Sequence, residues 1–225
     1  MRVLQLGLQS AVLIAGLDGL FAQAKHPVSG RVIAPVMSAA GADWLERGER
    51  ESEENPSKAI RTLDIKPGMT VCDLGAGSGY YTVRMSRLVG PAGKVYAVDI
   101  QPKMLELLAR RLKSEGINNV VPVLSSEDDP KLPPKSQDLI LLVDVYHEFA
   151  RPQLMLQRMR EALKDDGRLV LLEYRKEDPS VPIRLEHKMS IAEVKAELEP
   201  EGFRIEKVLD DLPWQHIFIC KKKAR

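Results

Sequence analysis

Apolar and polar positions follow two alternating patterns from residue 69 onward. Short runs rich in Val, Ile and Leu are separated by segments whose apolar residues recur at helical spacing. Continuous apolar runs indicate strands buried on both faces, as in a parallel sheet with crossover helices. Strands are predicted at 70–74, 94–100, 120–124, 138–145 and 168–174, and helices at 80–89, 102–115 and 151–163. The pattern therefore predicts an α/β fold with a doubly wound, Rossmann-like sheet.

The end of the chain departs from this alternation. Ser190 is predicted to cap a helix that Gly202 terminates, and two strand-like runs follow at 203–209 and 215–220. Five residues join these runs, which is too few for a parallel crossover. The last two strands are therefore predicted to form an antiparallel hairpin, which gives a seven-stranded sheet with an antiparallel last strand.

The residues before the alternating region are predicted to form an arm at 25–54 on a domain at 55–225. Positions 26–40 hold two prolines and a glycine without a sustained period, which indicates irregular structure. A short helix is predicted at 43–50, and Asn55-Pro56 is predicted to cap and open a second one. Prolines mixed with apolar residues are typical of a docked segment. We therefore expect the arm to fold as a lid over the ligand-binding cleft of the domain.

The first residues have the pattern of an export signal. Arg2 precedes an apolar stretch at 6–17, and Ala22-Gln23-Ala24 has the small-x-small form that signal peptidase cleaves. Residues 1–24 are therefore predicted to be a signal peptide, which places the mature protein in the periplasm or outside the cell, without a membrane span. The alternatives are a membrane anchor and a cytoplasmic protein whose first residues are not a signal.

The charge is nearly balanced: Lys plus Arg number 33 and Asp plus Glu 32, for a formal net charge of +1. This balance provides no general attraction to nucleic acid or to anionic lipid, so neither is expected as a partner. Cys72 and Cys220 are predicted to be buried thiols without a disulfide. No metal site is predicted, because the four histidines show no ligand spacing along the chain: His26, His147, His187 and His216.

A glycine-rich turn follows the first predicted strand, in the sequence Asp73-Leu74-Gly75-Ala76-Gly77-Ser78-Gly79-Tyr80. Glycines allow positive φ and close approach of a ligand to the backbone. The dinucleotide pattern GxGxxG needs a third glycine at the position of Tyr80, so the spacing disfavours NAD and favours S-adenosylmethionine (SAM). Asp99 ends the second strand about one βα unit later, where a carboxylate can bind ribose hydroxyls or can simply cap the following helix.

These motifs resemble those of the class I SAM-dependent methyltransferases, particularly the small-molecule branch that includes quinone-biosynthesis enzymes. The resemblance covers about residues 55–221 and rests on the glycine turn, on Val98-Asp99 with Gln101-Pro102-Lys103-Met104-Leu105, and on the segment 163–173. The terminal hairpin is similar to the reversed last strand of that family. The resemblance implies SAM as the cofactor and methyl transfer as the reaction.

The resemblance also implies which residues bind the cofactor. Gly75 and Gly77 would lie against the methionine part with Asp73 near its amino group, and Asp99 would hold the ribose. Ile100 and Asp128 would contact adenine, with Asp129 an equal alternative because Glu127 replaces a glycine that is usual in the family. The full predicted set is Asp73, Gly75, Ala76, Gly77, Gly79, Asp99, Ile100, Asp128 and Asp144.

Polar residues cluster where the fourth predicted strand ends, in Asp144-Val145-Tyr146-His147-Glu148. Such groups are costly to bury without partners, which indicates the reactive edge of the sheet. His147, together with Tyr146, is the predicted catalytic residue, because an imidazole can accept a proton near neutral pH. A structural histidine bonded to the backbone is the alternative. Further candidates for the acceptor pocket are Glu173, Tyr174, Arg175, His187, His26, Arg31 and Trp44.

The predicted function is transfer of a methyl group from SAM to a small-molecule acceptor that the sequence does not identify. This chemistry mainly requires alignment of the acceptor with the sulfonium and exclusion of water. Two other functions stay open: a non-catalytic SAM-binding protein of the same fold, and an NAD-linked oxidoreductase. The oligomeric state is not predicted.

Overall fold

The computed structural model describes residues 24–224. Of the predicted export signal at 1–24, only Ala24 lies within the described residues, so the signal stays a prediction. Within residues 24–224, no helix combines the length and the apolar character needed to cross a membrane.

A mixed sheet forms the centre of the fold. Its strands are β1 Thr70–Leu74, β2 Lys94–Asp99, β3 Val120–Leu124, β4 Gln137–Val143, β5 Leu163–Arg175, β6 Lys188–Met189, β7 Phe203–Leu209 and β8 Gln215–Lys222. They lie in the order β3-β2-β1-β4-β5-β8-β7, with the two-residue β6 beside β5. β1 to β5 are parallel, whereas β8 is antiparallel to both β5 and β7. The predicted doubly wound sheet with seven main strands and an antiparallel end is therefore confirmed.

Helices cover both faces of this sheet. They are α1 Ala42–Leu45, α2 Arg50–Glu53, α3 Pro56–Thr62, α4 Tyr80–Val89, α5 Pro102–Ser114, α6 Pro152–Ala162 and α7 Ile191–Leu198, with 3-10 helices at Ala39–Gly41, Tyr146–Glu148 and Leu185–His187. Val71 and Leu139 belong to the core shared with α3 and α4, whereas Cys72 and Ile140 belong to the core shared with α6 and α7. Burial on both faces explains why the strands read as continuous apolar runs.

Several element boundaries differ from the predicted ones. β4 ends at Val143 instead of 145, because Asp144 has a left-handed backbone (φ 53°) that turns the chain into the 3-10 helix at 146–148. The helix predicted at 43–50 is two short helices, α1 and α2, separated by residues 46–49. β5 begins at Leu163, earlier than the predicted 168. Both cysteines are buried and free, as predicted.

The strand order reverses between β1 and β4, since β1 continues to β2 on one side and β4 to β5 on the other. At such a point the following helices pack on opposite faces, which leaves a crevice at the carboxyl ends of the strands. The glycine turn follows β1, and the polar segment 144–148 follows β4. The topology therefore brings the two predicted motifs to the same edge of the sheet.

Candidate active site

A cavity of about 500 Å³ lies at the carboxyl ends of β1, β2 and β4. This volume is typical of small-molecule sites, which are mostly apolar with a few placed polar groups. The cavity wall includes the glycine turn, the ends of β2 and β4, the loop after β3, the N-terminal arm and the segment 182–187.

Two glycines of the turn form part of this wall. Gly75 (φ 80°) and Gly77 (φ 53°) both have left-handed backbones that disfavour other residues. An added Cβ at Gly75 would overlap the side chain of Val145, and one at Gly77 would lie 2.8 Å from Leu45 Cδ1 of the arm. The turn therefore needs glycine both for its shape and because other segments pack directly against it.

Three other predicted residues of the turn lie outside the cavity wall. Gly79 begins α4 with a left-handed backbone, and a Cβ there would overlap Leu108 of α5. Ala76 is buried in the same apolar cluster. Asp73 accepts a hydrogen bond from the Thr82 hydroxyl at 2.6 Å, and burial raises the pKa of Asp73 to about 6. These residues support the conformation of the turn without lining the cavity.

Asp99 lines the cavity and also supports its wall. Its carboxylate accepts hydrogen bonds from the backbone N–H groups of Gly77 and Gln101, both at 2.8 Å. Burial raises the pKa of Asp99, while backbone N–H groups including these two oppose that rise. Asp99 thus orders the backbone that leads into α5 and also faces the cavity, whereas the N-cap of α5 is Gln101. Ile100 lies beside it in the wall and is 37% exposed.

The acidic loop after β3 presents different residues to the cavity than the predicted ones. Ser125, Ser126 and Glu127 line the cavity, whereas Asp128 does not. Asp128 accepts a hydrogen bond from the Ser126 hydroxyl at 2.8 Å, and it lies 3.7 Å from Arg151. Asp129 also lies outside the wall, where it accepts a hydrogen bond from the backbone of the same loop.

Asp144 lies in the wall at the end of β4. Its Oδ2 accepts a hydrogen bond from Gln215 Nε2 at 2.7 Å, whereas its buried Oδ1 has no hydrogen-bond partner among the described residues. Burial, together with the carboxylates of Glu54 and Glu173, raises the pKa of Asp144 well above its usual value. Arg50, the nearby cation of the wall, is already paired with Glu54 at 2.7 Å.

His147 forms a buried pair with Glu173. His147 Nδ1 lies 2.6 Å from Glu173 Oε2, and the Tyr146 backbone N–H donates to Glu173 Oε1 at 2.9 Å. The other ring nitrogen, Nε2, lies 3.1 Å from His187 Nδ1. One ligand atom each of His147, Glu148 and His187 lie within 4.8 Å of one another. His187 lies 40 positions after His147 in the chain, so linear spacing gave no sign of this group, and the absence of a metal site stays a prediction.

Tyr146 and Glu148, the neighbours of His147, have different positions. Tyr146 is fully buried outside the cavity wall, where its ring packs edge-on against Phe149 at 5.6 Å between centroids. Glu148 lines the cavity and accepts a hydrogen bond from the Met37 backbone N–H at 3.2 Å. Burial raises the pKa of Glu148 to about 7, an effect that the nearby His147 opposes.

The N-terminal arm lies across the cavity and is anchored at several places along its length. Gln101 donates to the Met37 carbonyl at 2.9 Å and accepts from the Ala39 N–H at 3.0 Å. Nearer the start of the arm, Arg31 pairs with Glu197 of α7 at 2.8 Å. The arm residues in the cavity wall are Val36, Met37, Trp44, Leu45 and Arg50. Tyr174 and His187 also lie in the wall, whereas His26, Arg31, Glu173 and Arg175 do not.

Residues 65–215 match a family profile described as "Methyltransferase domain". The chain belongs to this methyltransferase family. A SAM-dependent methyltransferase from Aquifex aeolicus has the same fold, with a TM-score of 0.77 and 28% identity over 82% of this chain and 98% of that chain. The predicted SAM-dependent methyltransferase is confirmed, with SAM as its cofactor, and the NAD-linked alternative is set aside.

Curated relatives of this methyltransferase align over a shorter region. The ubiquinone/menaquinone biosynthesis C-methyltransferase UbiE of Shewanella baltica is 34% identical over 118 residues, which cover 52% of this chain and 47% of the relative. Its counterpart in Escherichia fergusonii is 34% identical over 113 residues, 50% of this chain and 45% of the relative. The chain thus spans about half the length of these relatives. The [4+2]-cyclase SpnF shares the fold alone, with a TM-score of 0.65 and 13% identity over 76% of this chain and 81% of that chain.

Proposed function

We propose that this methyltransferase methylates a small, mainly apolar acceptor that binds between the N-terminal arm and His147. The observation that carries the proposal is that one cavity includes both the glycine turn with Asp99 and the ring of His147. A cofactor and an acceptor bound in one cavity can be held in contact and away from water, and methyl transfer gains most of its rate from this arrangement.

The residues at one end of the cavity fit SAM. The positive φ of Gly75 and Gly77 shapes the turn that lines the cavity, and Asp99 offers a carboxylate to ribose hydroxyls. The unpartnered Oδ1 of Asp144 can accept a hydrogen bond from the ammonium group. Ile100 offers an apolar surface to the adenine. When bound, SAM supplies a methyl group that is already activated by the sulfonium.

The other end of the cavity favours an apolar acceptor with one polar group. Val36, Met37 and Phe149 line it together with His147. Since Glu173 holds the Nδ1 side of the ring, the Nε2 side, where His187 lies at 3.1 Å, is the side that can bind a hydroxyl or another nucleophilic group of the acceptor. The relatives named as quinone-biosynthesis C-methyltransferases support an aromatic or quinol-like acceptor. Their match covers only half of each chain, so the acceptor class is part of the proposal.

The cofactor site is tested by titrating SAM and S-adenosylhomocysteine into the full chain by calorimetry. Asp99→Ala is expected to weaken binding by about ten- to a hundredfold, since hydrogen bonds to a charged group contribute about 1.5–3 kcal/mol. Asp166→Ala, which removes an exposed carboxylate on β5, serves as the matched control and should bind as the wild type does. Equal affinities for SAM in the two variants would refute the role of Asp99.

The acceptor is tested by following release of S-adenosylhomocysteine with a panel of quinols, phenols, amines and thiols. Turnover with a quinol or phenol is expected, together with strong loss of kcat when Trp44 and Met37 are both replaced by Ala, because both residues line the cavity. Tight SAM binding without turnover on any acceptor would instead favour a protein that keeps the fold for another purpose, as the name of the cyclase SpnF illustrates.

A further inference from the structure

Three side chains with metal-binding atoms converge at the acceptor end of the cavity. His147 and Glu148 lie on the 3-10 helix after β4, and His187 ends the 3-10 helix before β6. One nitrogen of each histidine and one carboxylate oxygen of Glu148 lie within 4.8 Å of one another. All three residues line the cavity, so a ligand there is accessible to an acceptor.

The orientation of His147 is set by a carboxylate on its far side. Glu173 is fully buried, and its two oxygens accept from His147 Nδ1 at 2.6 Å and from the Tyr146 N–H at 2.9 Å. With the proton on Nδ1, the lone pair of Nε2 faces His187. Metal-binding histidines usually donate their other ring N–H to a carboxylate, which orients the ring, and Glu173 is placed for this role.

The distances suit an ion that both histidines bind. His147 Nε2 and His187 Nδ1 are 3.1 Å apart. Two nitrogens that each lie about 2.0–2.1 Å from one zinc ion are separated by about 3.0–3.5 Å when the angle at the metal is near tetrahedral. The observed separation therefore needs little adjustment for both nitrogens to bind one ion.

The charges around this group favour a cation. Carboxylates in the cavity wall are Asp99, Glu127, Asp144 and Glu148. Of the described wall residues, the arginines are Arg50, which pairs with Glu54 at 2.7 Å, and Arg184, whose side chain is 81% exposed and 3.9 Å from Glu186. Among the described residues, no arginine or lysine forms an ion pair with the partly buried Glu148, so its carboxylate has no cationic partner there.

We propose that His147, His187 and Glu148 bind one divalent metal ion of the zinc class, with Glu173 as the positioning residue of His147. Two imidazoles and one carboxylate favour zinc or a similar transition metal over magnesium, which prefers oxygen ligands. Three protein ligands leave at least one coordination position open to the cavity. A hydroxyl or thiol group of the acceptor can occupy that position. The metal would lower the pKa of this group and align it with the methyl donor. The site goes beyond methyl transfer from SAM and is testable without an acceptor.

The site is tested by titrating Zn²⁺ into the full chain after removal of metals with EDTA, in a preparation whose affinity tag contains no histidine. Calorimetry should give one Zn²⁺ per chain, and Co²⁺ in its place should produce the visible absorption of a low-coordinate site. His187→Ala should weaken Zn²⁺ binding by about a hundredfold or more, and Glu173→Gln by about ten- to a hundredfold. His187 is partly exposed on a short 3-10 helix, so its replacement is expected to leave the fold intact.

His216→Gln is the matched control. His216 is also a buried histidine, and its ring nitrogens lie 2.6 Å from Asp210 and 3.1 Å from Glu177, but it lies outside the cavity wall. Its replacement should leave the Zn²⁺ affinity unchanged. Absence of stoichiometric Zn²⁺ binding, or binding that His187→Ala leaves intact, overturns the proposal. SAM titrations on the same samples report on the cofactor site separately, because Asp99→Ala should lose SAM and retain Zn²⁺.

Discussion

Asp73 should make the protein less stable as the pH rises, and Asp73→Asn should remove this dependence. The carboxyl group is 3% exposed, and its hydrogen-bond partner is the neutral Thr82 hydroxyl at 2.6 Å. Burial raises the pKa of Asp73 from 3.8 to about 6; the hydrogen bond from Thr82 opposes this rise, and nearby Asp99 adds to it. The folded protein therefore holds the Asp73 proton more tightly than the unfolded chain does.

The sign and size of the effect follow from this difference in pKa. Because the folded pKa is the higher one, the stabilisation is complete below about pH 3.8 and is lost as the pH rises through about 6. The difference between about 6 and 3.8, at about 1.36 kcal/mol per pKa unit, corresponds to about 3 kcal/mol at neutral pH and above. About half of this loss, or roughly 1.4 kcal/mol, falls between about pH 5 and about pH 7.5.

The assay is urea unfolding of the wild type and Asp73→Asn at several values between about pH 5 and about pH 7.5. Asn keeps an oxygen that can accept from Thr82 but carries no charge, so its advantage over the wild type should grow by roughly 1.4 kcal/mol across this range. Asp166→Asn, which changes an exposed carboxylate, should show no comparable trend. A difference between Asp73→Asn and the wild type that stays constant with pH would refute the reasoning.

Two further variants test the turn and the arm. Gly75→Ala should lower the free energy of unfolding by about 1–3 kcal/mol and weaken SAM binding, because its φ of 80° is strained for Ala and the added Cβ overlaps Val145. Unchanged urea unfolding and unchanged SAM calorimetry would contradict this. Glu197→Gln should destabilise the protein by about 3–5 kcal/mol and speed tryptic cleavage within the arm, because it leaves the buried Arg31 without its anion. Equal cleavage rates in variant and wild type would show that Glu197 does not anchor the arm.

The cofactor half of the site was largely predictable from local sequence. Positive φ at Gly75 and Gly77 is a property of a few consecutive residues, and the carboxylate of Asp99 follows directly from the end of a strand. The acidic loop was not predictable to the residue. Which of Glu127 and Asp128 faces the cavity depends on how the loop folds back through Ser126, and acidic residues on both sides carry the same local signal.

The proposed acceptor end of the site depended on contacts between distant residues. His147 was identified from the polar end of a strand, but its partners Glu173 and His187 were only two among several further candidates. They lie 26 and 40 positions away in the chain, on segments that reach His147 through the neighbouring strand β5 and the turn before β6. Linear spacing among the histidines therefore indicated no metal ligands, although three such groups converge in space.

The order of strands and helices, the glycine turn and the reversed terminal hairpin follow from local sequence, because apolar periodicity and turn residues act over a few positions. The polar groups that meet in the cavity, and the way the arm covers it, depend instead on how the chain packs in three dimensions. Parallel strands bring the ends of β1, β4 and β5 together whatever their distance in the chain, and contacts such as those of Arg31 with Glu197 form only after the sheet has assembled.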